Sequence, residues 1–318
     1  MPSIITHDTF GQDIYRDLFT LIGGSRDEAE AFLLGNQGPD PLFYSVACPW
    51  LRSNHDLGSV MHDQLPTRLL DAFKTGLPFL PESEQPIARA YALGFLCHYT
   101  LDSIAHPFIF SQQYQLCDAG EPGLTRSDGH EVHAFIETEL DELVLYLKRN
   151  DTVETFNPAR DVLKGSSHML DVVSKLYVYV AMAVYGRAVP TDLFRSSVYA
   201  MRLGQRVFHS SSGLKREVLG RLEELVRPYS FCKAMSHRPV ELETSIFDNR
   251  ERACWEDPFS GGSSTESFWD LYERALAQAH HNIELFDEPG FDVEDARYIT
   301  GDKNFSGKPT TAQIVSVE

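Results

Sequence analysis

Residues 94–108, GFLCHYTLDSIAHPF, set His98, Asp102 and His106 four positions apart among Phe95, Leu96, Leu101, Ile104, Ala105 and Phe108. A four-residue step turns a helix by about 40°, so the three polar side chains share nearly one line of it. Two imidazoles and a carboxylate on a stripe bordered by apolar residues are costly to bury uncompensated. A divalent cation is the simplest single partner. One helix cannot enclose a cation, and residues 129–145, GHEVHAFIETELDELVL, offer a second set. There His133 and Glu137 repeat the four-residue spacing and Asp141 extends it. Val132, Phe135, Ile136, Leu140, Leu143 and Leu147 recur at helical intervals, which predicts a helix with one buried face. Two such helices facing each other make a bundle-type metal site. The other reading of this stretch is a solvated acidic face that joins Glu137 and Asp141 to Glu131, Glu139 and Glu142.

Three more candidates lie outside these helices. Asp40 sits between two prolines in the turn-forming cluster NQGPDP, as a turn and cap residue or as a stiffly held ligand. His62 belongs to a helical stretch, and His7 lies near the N-terminus. The candidate set is therefore His7, Asp40, His62, His98, Asp102, His106, His133 and Glu137. Three histidines and a carboxylate suit one zinc, and eight such groups suit two or three cations bridged by shared carboxylates.

The elements that must position these residues read as helices. A short amphipathic helix is expected over residues 12–21, closed by Gly23 and Gly24. Ser25 with Glu28 forms a capping box for a helix running to about Leu34. Residues 56–71 keep a helical rhythm apart from Pro66, and prolines 78, 81 and 86 mark a hinge before a helix over 87–105. Pro107 is expected to end that helix, with His106 in its final turn. Residues 112–128 read as a long loop. Further helices are expected over 169–185, 191–208, 214–226 and 268–285, and the best short strand is 240–246. The fold class is mainly α, a multi-helix bundle with additional C-terminal helices. Residues 1–150 are expected to form the metal-binding core, 151–297 further helices on the same bundle, and 298–318 a tail or arm.

The 318 residues are 42% hydrophobic and 23% charged, ordinary for a globular chain. With 28 Lys and Arg against 46 Asp and Glu, the formal charge is −18. Such a chain repels phosphate backbones and anionic membrane surfaces, which speaks against a nucleic-acid binder more than against a metal-dependent enzyme. Cys48, Cys97, Cys117, Cys232 and Cys254 are odd in number and form no C-x-x-C pair, a pattern of reduced compartments. Cys97 beside His98 reads as a small buried hydrophobe. With neither a signal-peptide pattern nor an apolar run of about 20 residues, the expected location is cytoplasmic.

The motifs GNQGPDP around Asp40, GSVMHD around His62, HYTLDSIAHP from His98 and HAFIETELD from His133 resemble those of the zinc-dependent phospholipases C. The superfold of that family also contains zinc-dependent single-strand nucleases, and the resemblance covers roughly residues 1–145. It implies a helical bundle holding a cluster of zinc ions and a phosphodiester or phospholipid substrate. Carried over, Asp40, His62, His98 and Asp102 would hold one zinc, and His106, His133 and Glu137 a second. Asp102 would bridge to a third near His7, and Asp40 would also serve as general base toward water. Two departures stand out. Secreted members bind the third zinc through an N-terminal tryptophan, where this chain has Met1, and the histidine after their bridging aspartate comes six residues on rather than four. His133 is preferred over His130 for its relation to Glu137. The alternatives to a phospholipase C-like hydrolase are a nuclease of the same superfold and a non-catalytic protein with structural zinc.

Overall fold

The apolar rhythm around His98 resolves into one 33-residue helix, α5 (Gln85–Cys117), which runs straight through Pro107. A proline inside a helix forfeits a hydrogen bond and crowds the preceding turn, at a cost of about 3 kcal/mol. Leu101, Ala105, Phe108 and Ile109 are all buried around it, and their packing outweighs that cost. The helix therefore does not stop at His106. It takes up the first part of the stretch read as a loop.

The computed structural model describes residues 3–120, 124–209 and 234–310, and its fold is mainly α. Helix α1 (Ile4–Ile22) begins well before Gln12 and kinks at Leu18. Helix α2 (Arg26–Gly35) carries the Ser25/Glu28 capping box on both sides. Two 3-10 segments follow, Asp40–Ala47 and Pro49–Asn54. The rhythm of residues 56–71 is split into α3 (Leu57–Asp63) and α4 (Pro66–Gly76) by Leu65, whose φ of 54° is left-handed. Pro66 restarts the helix at a position where its missing amide would be unbonded in any case. After α5 come α6 (Gly129–Arg149), α7 (Pro158–Asp161), α8 (Ser167–Tyr185) and α9 (Leu193–Phe208). The last two are α10 (Phe268–Asp287) and α11 (Val293–Thr300). No helix of the described residues is long and apolar enough to cross a membrane.

Residues 240–246 form no strand. Among the described residues the sheet structure is one antiparallel pair, Trp255–Glu256 with Ser263–Ser264, beside a single bridge between Lys303 and Pro309. Residues within and just before the expected strand are tied to α6 instead. Arg238 pairs with Glu139 and Glu142, and the Ser245 hydroxyl donates to Glu139. The helix expected at 214–226, Cys232 and the end of the chain after residue 310 lie outside the described residues.

The chain divides into two compact units. One comprises Met1–Phe10, Ala105–Leu163 and Arg202–Arg274, and the other Gly11–Ile104, Lys164–Met201 and Ala275–Glu318.

Within the first unit, α6 is not a solvated acidic face. Glu137, Asp141 and Glu142 are all buried. The Asp141 carboxylate accepts from the Ile5 amide at 3.1 Å, the Thr6 amide at 2.7 Å and the Thr6 hydroxyl at 2.6 Å. It also lies 2.9 Å from Nε2 of His237. A helix N-terminus leaves its first amides without intrahelical partners and favours negative charge. Asp141 supplies both needs from a distant element, and so seats the first turn of α1. Arg149 pairs with Asp8 and donates to Thr9 one turn further on.

Within the second unit, α4 packs on α8 and α11, and α2 packs on α8. Helices α2 and α5 cross at Gly35 and Gly94. A Cβ on Gly94 would lie 2.0 Å from the Phe32 carbonyl oxygen and 2.9 Å from Gly35 Cα. Only glycine permits this approach. The Tyr91 and Tyr177 hydroxyls, 2.8 Å apart, lie 3.1 and 3.3 Å from the Gly38 carbonyl oxygen, and their two protons, shared among these three contacts, pin the turn after α2.

Because backbone blocks the Cβ at this crossing, Gly94→Ala is expected to lower stability by about 2 kcal/mol or more, as overpacking of a close contact does. Equilibrium urea unfolding measures it. An unchanged midpoint would mean that the helices can separate freely.

Candidate metal centre

The second unit gathers Asp40, His62 and His98. Their ligand atoms all lie within 4.8 Å of one another. Asp40 opens the 3-10 turn behind Pro39, His62 ends α3, and His98 sits one turn beyond Gly94 on α5. Nε2 of His62 is 3.1 Å from Asp40 Oδ1, and its Nδ1 meets the Gly58 carbonyl at 2.8 Å. Nε2 of His98 is 3.2 Å from Asp102 Oδ2, and its Nδ1 meets the Asn36 carbonyl at 3.1 Å. The close crossing at Gly35 and Gly94 brings that carbonyl within reach. Gly38 completes the seat: its φ is +51°, and a Cβ there would stand 2.2 Å from the His98 ring.

The first unit gathers His106, His133 and Glu137, again within 4.8 Å. A single oxygen, Oε1 of Glu137, stands 3.3 Å from Nε2 of both imidazoles. His133, rather than the exposed His130, faces Glu137, and its Nδ1 lies 2.9 Å from Gln113 Oε1. His7 is buried in the first unit, in the first turn of α1 beside Thr6, which Asp141 holds.

These distances test whether a cation fits. A carbonyl can only accept, so Nδ1 of His62 and of His98 must each carry a proton. In a neutral ring the lone pair is then on Nε2, and in both cases Nε2 faces a carboxylate oxygen. Two acceptors meet head-on unless the ring is protonated or a cation lies between them. Two donors about 2.0–2.1 Å from a tetrahedral zinc stand roughly 3.3–3.4 Å apart. The observed pairs, at 3.1–3.3 Å, have close to that spacing. Outward hydrogen bonds from the other ring nitrogen are how metal-binding histidines are oriented. The donor set fits a divalent metal.

The electrostatics agree. Burial alone would raise the Asp40 carboxyl, but its cationic surroundings, His62 and His98 among them, outweigh burial and take the pKa from 3.8 to about 2. Burial disfavours His98 in its charged form, and the Asp102 and Asp40 carboxylates reverse this, leaving it above its ordinary value. At His133 burial wins over Glu137, and the pKa falls. Burial would raise Glu137, but surrounding positive charge, to which His133 and His106 contribute, outweighs burial and holds it well below the usual carboxylate range.

Some contributors had little or no signal in the sequence. Phe305 is buried with its ring 4.9 Å from His62 and 5.7 Å from His98, and its amide donates to the His62 carbonyl at 3.2 Å. It lies in a polar stretch with no apolar period. Gln113 follows His106 by seven residues, a same-face spacing that becomes visible once the helix continues past Pro107. The carbonyls of Asn36 and Gly58 carry no side-chain signature at all.

A mainly helical protein with clusters of histidines around buried carboxylates, at the separations of a metal site, is the class these features define. The family model described as zinc dependent phospholipase C matches residues 6–186, more than half of the chain, and the chain belongs to that family. The match reaches past residue 145 to the end of α8. No curated protein and no solved structure gives a match.

The depressed Asp40 pKa has a consequence for metal-free protein. A carboxyl lowered on folding contributes stability that is present above its unfolded value of 3.8 and lost as pH falls toward about 2. In chelator, wild type should lose more unfolding free energy than Asp40→Asn between about pH 5 and pH 2. Parallel stability curves for the two proteins would contradict this.

Proposed function

We propose that the chain is a metal-dependent phosphoric ester hydrolase in which water attacks a phosphodiester of the phospholipid type. The observation that carries this reading is the pair of clusters built on buried carboxylates, with imidazole and carboxylate atoms at metal-sharing separations, in a chain of the zinc-dependent phospholipase C family. Zinc is the expected metal, as two or three ions. Asp40, His62, His98 and Asp102 would hold one ion, and His106, His133 and Glu137 another. His7 remains a further candidate ligand.

When bound, divalent cations supply Lewis acidity toward water and phosphoryl oxygens. Asp40 stays anionic at neutral pH, orients water by accepting its hydrogen bond, and takes the proton as the bond to phosphorus forms and the opposite ester P–O bond breaks, the departing alkoxide leaving as the alcohol once it is protonated. His62, with Nε2 3.1 Å from Oδ1, would hold that carboxylate in place by sharing the same ion with it. His106 and His133 retain side-chain exposures of 13% and 17%, which leaves this cluster open to a ligand where a purely structural metal would be enclosed. A formal charge of −18 disfavours a polyanionic nucleic acid far more than a single phosphodiester.

Elemental analysis of purified wild type, Asp102→Ala and Glu137→Gln, with hydrolysis of a chromogenic phosphocholine ester, tests the reading. Two or more zinc ions per chain are expected in wild type, with fewer in each variant and activity reduced by a factor of about 100 or more. Bound metal with no turnover of any phosphodiester would refute the enzyme. Protein purified without chelator and lacking metal would refute the centre itself.

A further inference from the structure

The two 3-10 segments that begin at Asp40 also carry an exposed apolar edge. Val46 is 64% exposed and Trp50 63%, and Ala47 and Pro49 between them are exposed as well. This edge is built on a packed base, because Leu42, Ser45 and Leu51 beneath it are fully buried. Of the three tryptophans, Trp255 is buried and Trp269 half-buried, so Trp50 is the one in open solvent.

Charge sets the same stretch apart. The chain has 46 acidic residues in 318, about one in seven, yet none falls between Asp40 and Asp56. The only fixed charge there is Arg52, which is exposed. A single exposed apolar residue is unremarkable on a protein surface. An indole, a valine, a proline and a guanidinium in one stretch that carries no acid of its own, with Asp192 its acidic neighbour at Cys48, form a particular chemical combination. The indole is apolar with one polar tip and settles at the headgroup level of a bilayer. A guanidinium matches phosphate oxygens in a two-pronged hydrogen bond. The acidic remainder of the chain is repelled by anionic surfaces, so the complementary bilayer is zwitterionic.

We propose that residues 46–52 are the edge by which this protein docks on a zwitterionic phospholipid bilayer. Val46 and Trp50 insert at the headgroup boundary, Arg52 takes a lipid phosphate, and the same rigid stretch presents Asp40. The proposal rests on the phosphodiesterase reading, to which it adds the source of the substrate: lipid in a membrane rather than a free phosphoester. An edge of this size gives weak, reversible attachment, which suits repeated turnover at a surface.

The test uses the full-length protein with phosphatidylcholine vesicles, read by co-sedimentation and by quenching of tryptophan emission with brominated lipid. Wild type should bind with its emission quenched. Trp50→Ala should bind about tenfold more weakly and lose the quenching, and the ratio of vesicle to monomeric-ester hydrolysis should fall by about the same factor. Trp50→Phe should recover most of the binding, and a urea midpoint equal to wild type would establish that both variants are folded. Val46→Asn gives a second, tryptophan-retaining probe with the same expected direction.

The proposal is overturned if wild type does not bind phosphatidylcholine vesicles or binds only anionic ones. It is also overturned if Trp50→Ala binds as wild type does, including the case where light scattering shows that this variant has dissociated a dimer. Hydrolysis of the monomeric ester without vesicle binding defeats the docking edge alone. Vesicle binding by protein that hydrolyses no ester defeats the enzyme reading and leaves the edge standing.

Discussion

A carboxylate buried against imidazole nitrogens must be compensated, and much of this structure is arranged around that demand. Asp40, Asp102 and Glu137 each lie within 3.1–3.3 Å of a histidine Nε2 and each is at most 5% exposed. Leaving such charges uncompensated in an apolar interior costs several kcal/mol apiece. The chain meets the demand with geometry: the outward nitrogens of His62 and His98 are committed to backbone carbonyls, which turns the inward nitrogens toward the acids. A divalent cation shared by acid and ring satisfies both with the rings neutral. The same arrangement that is expensive without metal is what makes it a candidate metal site.

The scaffold supplies rigidity where this pairing needs it. Glycines at the crossing of α2 and α5 let Asn36 reach His98, and the hydroxyls of Tyr91 and Tyr177 hold the turn that ends in Asp40. Asp141 resembles a ligand by its place on α6, four residues after Glu137. It serves instead as a remote cap for α1, with His237 as its partner. One helix can thus carry two buried carboxylates of opposite purpose, distinguished only by what packs opposite them.

Much of the candidate site was legible in the residue pattern. The four-residue spacings of His98, Asp102 and His106, and of His133 and Glu137, fix which side chains share a helix face, because 3.6 residues per turn leaves little choice. The capping box at Ser25 and Glu28 was equally plain, since it depends on local hydrogen bonds alone. The end of α5 was not, since a proline's local penalty says helix stop while the burial of Phe108 and Ile109 says otherwise. The expected strand at 240–246 failed for a similar reason: Arg238 before it and Ser245 within it found partners on α6, which no alternation pattern reveals.

By itself, then, the sequence determined the helical class, the candidate donors and their grouping along each helix, because these follow from backbone periodicity and from the cost of burying charge. Tertiary structure alone decided which nitrogen of each histidine faces inward, that Phe305 packs against His62, and that Asp141 caps rather than coordinates. It also decided that Trp50 stands in solvent rather than in the core. Each of these depends on contacts between residues far apart in the chain, and the energy that selects them exists only once those segments have met.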